Sequence, residues 1–274
     1  MPPTYYLKLP GVERPTVDRK EHVMQAGRAI GVVWPGAVTP GDLAETQRFV
    51  PEGVSLHMAG PVPGDGETGP EGITVERVAE LPVNPNLEKV AAELVPTGVG
   101  ATGYACTSGS YVRGVGGDTD IVTRMAEATG LPATTTSTAM VAALRQLGIG
   151  RVAVLSPHID ALNERLGRFL EDSGFSVVAM TGLNKLEGIE DLPPEEIRDI
   201  VVDRAARADA DGIFVSCTGM RTATVLDEME RRTGKAVVSA LQATVWHLLG
   251  LAGARQVLNG RGVLFSSKAG GAEA

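Results

Sequence analysis

Cysteine, histidine and aromatic residues are scarce in this chain, and each scarcity removes a class of explanation. Two cysteines and four histidines in 274 residues leave no run with metal-ligand spacing, so a zinc site is not expected. No Gly-Lys-Ser/Thr loop grips a phosphate. Aromatic residues make up only 4% of the chain, so the core must be built from Val, Ala, Leu and Ile. Basic residues are outnumbered: 25 Lys and Arg against 33 Asp and Glu give a formal charge of -8. No basic face is therefore available to neutralise phosphates, and nucleic acid is not an expected partner. No apolar run reaches the roughly 18 residues needed to cross a bilayer, and residues 1–10 (MPPTYYLKLP) lack the build of a secretory signal. The expectation is a cytoplasmic protein, where two reduced thiols suggest chemistry before a disulfide.

What the chain does have is a stretch that occurs twice. Residues 211–222 (DGIFVSCTGMRT) read as a buried strand delivering Cys217 into a turn. Residues 103–113 (GYACTSGSYVR) repeat the arrangement around Cys106. In both, small and apolar residues precede Cys-Thr, and a glycine and an arginine follow. A lone free cysteine is most often a small buried hydrophobe. Two placed equivalently at strand ends, each expected at a helix N-terminus, point instead to paired reactive thiols whose pKa the helix dipole would lower.

Between these stretches, strands alternate with helices of 10 to 15 residues, the pattern of parallel sheets covered on both faces. Strands are expected at 29–34, 54–58, 99–105, 152–155, 175–180, 213–216 and 236–239. Helices are expected at 39–50, 73–81, 84–95, 118–129, 137–147, 159–172, 194–208, 222–232 and 241–251. In the helix at 39–50, Leu43, Thr46, Gln47 and Val50 carry the helical spacing. The Gly- and Pro-rich stretch 60–72 reads as a loop suited to a lid.

A strand ending in Pro35 matches one ending in Pro157, as the Cys106 strand matches the Cys217 strand. The fold class follows: α/β, with two pseudo-symmetric lobes, each a parallel sheet flanked by helices, and an active site in the cleft between them. Residues 1–27 form an N-terminal arm, 28–133 with 240–274 the first lobe, and 134–239 the second. Ligands of such sheets sit outside the carboxyl ends of the strands.

The candidate catalytic residues are therefore Cys106 and Cys217. Candidate substrate contacts are Pro35 and Gly36 after the first strand, Thr107 and Ser108 after Cys106, Ser156 and His158 after the fourth strand, and Thr218 and Gly219 after Cys217. The glycines at 98, 100 and 103 formally match a dinucleotide fingerprint but run into a strand instead of opening a helix, so no nucleotide cofactor is expected. Arg113 and Arg221 read as surface charges.

These residues resemble the aspartate/glutamate racemase superfamily and, within it, the arylmalonate decarboxylase and maleate isomerase branch. The likeness covers about residues 29–255 and is densest in 128–132 (ATGLP), 134–139 (TTTSTA), 159–166 (IDALNERL) and 215–219 (VSCTG). It implies a cofactor-independent enzyme acting on a small mono- or dicarboxylate between two lobes. The N-terminal arm and the apolar C-terminal helix suit a homodimer. In the racemases both cysteines act, one as base and one as acid. In maleate isomerase the first-lobe cysteine adds to the double bond and the second supplies a proton. Arylmalonate decarboxylase resembles the chain but has glycine where Cys106 stands. Two thiols tilt the expectation toward a two-cysteine isomerase, of the maleate cis–trans type or a racemase; a decarboxylase with one proton-donating cysteine and a non-catalytic carboxylate binder are the alternatives. Two features depart from the maleate isomerase pattern: the loop 34–39 (WPGAVT), closer to the decarboxylase type, and His158 where a tyrosine is usual.

Overall fold

The computed structural model describes residues 29–60, 73–83, 86–207 and 209–266. The N-terminal arm and the 60–72 lid expected from the sequence fall outside these residues, apart from Gly60. Two four-stranded sheets organise the fold. The first contains β1 (Ala29–Val33), β2 (Ser55–Ala59), β3 (Thr102–Tyr104) and β4 (Ala133–Thr135), in the order β2-β1-β3-β4. The second contains β5 (Arg151–Ser156), β6 (Ser176–Gly182), β7 (Gly212–Val215) and β8 (Ala236–Ser239), in the order β6-β5-β7-β8. Every pairing is parallel. The second sheet thus repeats the order of the first, strand for strand.

The helices are the crossovers that parallel pairing requires. In the first half these are α1 (Pro40–Gln47), α2 (Val75–Glu80), α3 (Asn86–Leu94), α4 (Thr107–Tyr111) and α5 (Gly117–Thr129). In the second, α6 (Thr136–Gln146), α7 (Asp160–Asp172), α8 (Pro194–Asp203) and α9 (Leu226–Thr233) alternate with the strands, and α10 (Ala240–Leu251) and α11 (Val263–Ser266) follow. Local chemistry sets their ends. Thr39 and Asp42 form a reciprocal capping box at the start of α1, worth about 1 kcal/mol. Gly130 ends α5 at φ 68, a left-handed conformation that glycine adopts without steric penalty.

Alternation along β1 sorts the core. Ile30 and Val32 face the larger cluster, which runs on through β5, β7, α6 and α10, so the halves share one interior. Ala29 and Val33 face a smaller cluster, covered by α3 and α5. At Gly103 a Cβ would lie 2.8 Å from Leu248, so this glycine serves the close approach of α10 to β3. Among the described residues no helix is long and apolar enough to cross a membrane.

The structure differs from the expectation in three places. Strand β4 is absent from the expected strands; it is only three residues long, follows Pro132 and leads straight into α6, and it runs across the boundary expected at 133/134. The helix expected from Thr222 starts at Leu226, after a turn in which the Val225 N–H donates to the Thr222 carbonyl at 3.0 Å. On α1 the buried positions are Glu45 and Thr46, while Leu43 is 45% exposed.

Candidate active site

The pairing register brings the two cysteine segments to the same relative position. In the first sheet Val33 lies opposite Tyr104, and the Ala105 N–H donates to the Val33 carbonyl at 2.9 Å. In the second, Leu155 lies opposite Val215, and the Ser216 N–H donates to the Leu155 carbonyl at 2.8 Å. Each ladder thus continues one residue beyond its strand and stops at a cysteine. Pro35 and Gly36 follow β1 beside Cys106, and Ser156 and His158 lie at the end of β5 beside Cys217. The Thr218 hydroxyl donates to the Ala105 carbonyl at 3.0 Å, joining the residue after one cysteine to the residue before the other. With successive Cα atoms about 3.8 Å apart, this bond holds the cysteine Cα atoms within roughly 12 Å of each other.

Cys106 is the N-cap of α4, with extended backbone at φ -139, and its Sγ accepts from the Gly109 N–H at 3.4 Å. Ser108 Oγ lies 4.0 Å from the same sulfur. The Tyr104 hydroxyl reaches that sulfur too loosely to satisfy its own hydrogen bond, yet near enough to favour the thiolate. Gly109 leaves the room for this: a Cβ there would lie 2.9 Å from the Tyr104 hydroxyl and 3.0 Å from Sγ. Ser110 Oγ, which donates to the Cys106 and Thr107 carbonyls, lies 2.7 Å from Ser137 Oγ. The serine and threonine run at 134–138 therefore braces the first cysteine turn from α6.

Cys217 is held differently. Its φ is +82, one of two positive values among the described non-glycine residues, a conformation that costs a residue with a Cβ roughly 1–2 kcal/mol. The Met220 N–H donates to the Cys217 carbonyl at 3.3 Å, and the N–H groups of Gly219 and Met220 lie near enough to the sulfur to favour its thiolate. Those of Thr222 and Ala223 donate to Glu45 Oε1 at 2.7 and 2.8 Å, and Thr222 Oγ1 lies 2.8 Å from Ser239 Oγ. The donors of this turn thus go to the Cys217 carbonyl and to a carboxylate. The next helix begins only at Leu226, so Cys217 does not sit at a helix N-terminus, contrary to expectation.

The expected lowering of the thiol pKa also fails. Burial pushes the Cys106 thiol up despite the Gly109 N–H and the Tyr104 and Ser108 hydroxyls. Burial likewise pushes Cys217 up, to about 12, opposed by the Gly219 and Met220 N–H groups and reinforced by the charges of Cys106 and Glu190. Desolvation outweighs donors that a short turn can supply. The thiols nevertheless share one field. Tyr111, buried against the larger cluster, has its hydroxyl pKa raised first by burial and then by the charges of both Cys217 and Cys106.

Several buried polar atoms in these segments lack partners: Thr107 Oγ1, Tyr104 Oη, Tyr111 Oη, Ser216 Oγ and both ring nitrogens of His158. Burial lowers the His158 pKa to about 4, so its ring is neutral at pH 7. Unsatisfied buried groups cost about 1–3 kcal/mol each, and a cluster of them where strand ends converge suits a polar ligand. Of the expected contacts, Thr107, Ser108, Ser156, His158 and Thr218 are buried here; Pro35 and Gly36 are partly exposed at the rim. A Cβ on Gly219 would lie 3.7 Å from the Cys217 sulfur. Thr218 holds the halves together through its hydroxyl. Sequence reasoning missed Tyr104, Tyr111, Ser216 and Glu45; the first three lay within the repeated stretches, but Glu45 carried no signal. Arg113 is exposed and donates to the Ala79 carbonyl at 3.2 Å. Among the described residues, no cluster of His, Cys, Asp and Glu could hold a metal ion.

Comparison with known proteins fits this geometry. Residues 71–265 match the family described as arylmalonate decarboxylase. The chain is 38% identical to arylmalonate decarboxylase of Bordetella bronchiseptica over 168 residues, 60% of this chain and 69% of that protein. It is 27% identical to maleate isomerase of Pseudomonas putida over 190 residues, 65% of this chain and 74% of that one. Among solved structures, a glycine-to-cysteine, cysteine-to-serine double mutant of arylmalonate decarboxylase in its liganded form superposes with a TM-score of 0.76 at 32% identity, covering 86% of this chain and 98% of that one.

Proposed function

Since the chain belongs to the arylmalonate decarboxylase family, a group of enzymes whose relatives here include decarboxylases and isomerases, we propose that it is a cofactor-independent isomerase of a small carboxylic acid, working with two thiols. The observation that carries this reading is the pair itself. Cys106 and Cys217 end matching strands on either side of the Thr218–Ala105 hydrogen bond.

The chemistry follows from how the sulfurs differ. Mutual repulsion lets one ionise while the other stays protonated. Cys106, with Gly109, Ser108 and Tyr104 around its sulfur, is the one that ionises first. Cys217, pushed up to about 12, keeps its proton. On a maleate-like substrate the Cys106 thiolate adds to one alkene carbon, the new single bond rotates, and elimination releases the trans acid and the thiolate; Cys217 protonates the carbanion that addition creates and takes that proton back on elimination. On an activated α-carbon the same pair removes a proton on one face and returns one on the other. The unpartnered Thr107 and Ser216 hydroxyls and the neutral His158 ring are suited by their chemistry to hold the carboxylate or enolate oxygens in this reading.

A second reading has its own support: the 38% identity to a decarboxylase and a protonated Cys217 suited to deliver a proton to an enediolate after carbon dioxide leaves. Cys106→Gly separates them. It abolishes isomerisation or racemisation under the first reading and spares decarboxylation of an arylmalonate under the second. Solvent deuterium incorporation across a panel of small carboxylates reads both: incorporation without carbon dioxide release favours the first, and only with release the second.

A further inference from the structure

Glu45 lies on α1, remote in sequence from either cysteine, yet its side chain is buried against the turn that follows Cys217. One oxygen, Oε1, accepts both the Thr222 and Ala223 N–H groups, while Oε2 lies only 3.9 Å from the largely solvated Arg48. The adjoining part of α1 is shaped to the same turn: a Cβ at Gly41 would lie 2.5 Å from Arg221 Nη2. Upstream, the turn leaves β7 through the Ser216–Leu155 bond and is pinned to the first half by Thr218. Cys217 is thus fixed from both sides, and its positive φ persists because the flanking residues leave it no relaxed alternative.

We infer that Glu45 is a positioning residue: its carboxylate, reaching across from the first half, holds the Cys217 turn in the strained conformation that aims the sulfur at the site shared with Cys106. This rests on the two-thiol reading for its consequence in catalysis, but the effect on the sulfur's presentation is independent of any substrate. Because a single oxygen accepts both bonds, Glu45→Gln keeps the acceptor and Glu45→Ala removes it.

The test measures the alkylation rates of Cys217 and Cys106 by iodoacetamide in one sample, by peptide mass spectrometry, together with kcat and KM on the best carboxylate substrate. In Glu45→Ala the Cys217:Cys106 rate ratio is expected to change several-fold, and kcat to fall on the order of 10²-fold with KM little altered. Glu45→Gln should return both to within a few-fold of the parent. A purely structural glutamate would lower the melting temperature and leave the ratio alone. A ratio in Glu45→Ala within a factor of two of the parent overturns the inference. Should that variant not fold, Glu45→Asp, which withdraws the carboxylate by one methylene, is read by the same criterion. A changed ratio in a protein that turns over no carboxylate upholds the role of Glu45 and refutes the proposed function instead.

Discussion

The two halves carry the same strands in the same order and end at the same residue type, then part company at the cysteine. After Cys106 the chain turns at once into α4, with relaxed extended backbone at the cap and three donors around the sulfur. After Cys217 no helix forms for eight residues. The backbone is strained, and the N–H groups of the turn bond to the Cys217 carbonyl and to a glutamate from the other half. Topological repetition therefore supplies two equivalent positions, and local hydrogen bonding makes them chemically unequal. An enzyme that must remove a proton or add to a carbon with one group, and deliver a proton with another, needs that inequality.

The strongest way to break the comparison is to remove each sulfur in turn. Cys217→Ser, which leaves a far weaker acid, is expected to lower kcat by about 10²–10⁴-fold on any substrate under either reading, a typical range for a positioned general acid. Cys106→Gly should match that loss for isomerisation alone. Equal losses of decarboxylation in both variants would refute the one-thiol reading.

A smaller effect is expected at the donors. Gly109→Ala places a methyl 3.0 Å from the Cys106 sulfur, so the sulfur or Tyr104 must shift. Activity should drop while stability falls by about 1–3 kcal/mol in denaturant unfolding. Thr218→Val removes the bond to the Ala105 carbonyl and should cost about 1 kcal/mol, or several-fold in kcat.

The backbone difference has its own test. Cys217→Gly relieves a positive φ and Cys106→Gly relieves nothing. The first should therefore be less destabilising than the second by about 1–2 kcal/mol, measured by urea unfolding. Equal losses would mean that the Cys217 backbone carries no strain.

Stability in acid depends on two buried rings. His158 and His247, which lies 2.8 Å from Thr134 Oγ1, are each lowered to about 4 from 6.5, chiefly by burial. Depressed folded-state values mean that the unfolded chain binds more protons between pH 6.5 and 4. Their stabilisation is fully present above pH 6.5 and is lost as pH falls toward 4. Replacing His247 by Gln should flatten that slope in pH-dependent unfolding.

Where burial and periodicity coincide in the sequence, the fold was readable: the strand leading to Cys217 and the helix ending at 129 stand as expected. Strand β4 was not, because three residues between a proline and a helix carry no periodicity. Nor was the turn at 216–225, where the helix expected from 222 begins only at Leu226 and a carboxylate from a distant helix binds the Thr222 and Ala223 N–H groups. Both cysteines were legible as a pair, yet the direction of their pKa shifts was not. A sequence displays the donors around a sulfur but conceals how completely the fold dries it. Glu45 illustrates the general limit: its partners lie 177 and 178 residues away along the chain, so nothing near it announces a role.

The central claim is that the two sulfurs confront each other as a coupled pair, and alkylation tests it most directly. Site-resolved iodoacetamide rates between pH 8 and 11 should show Cys106 ionising before Cys217. In Cys106→Ser the Cys217 profile should move to lower pH, because a neighbouring negative charge that raised it is gone. A Cys217 profile unchanged by that substitution, or one that precedes Cys106, would contradict the account.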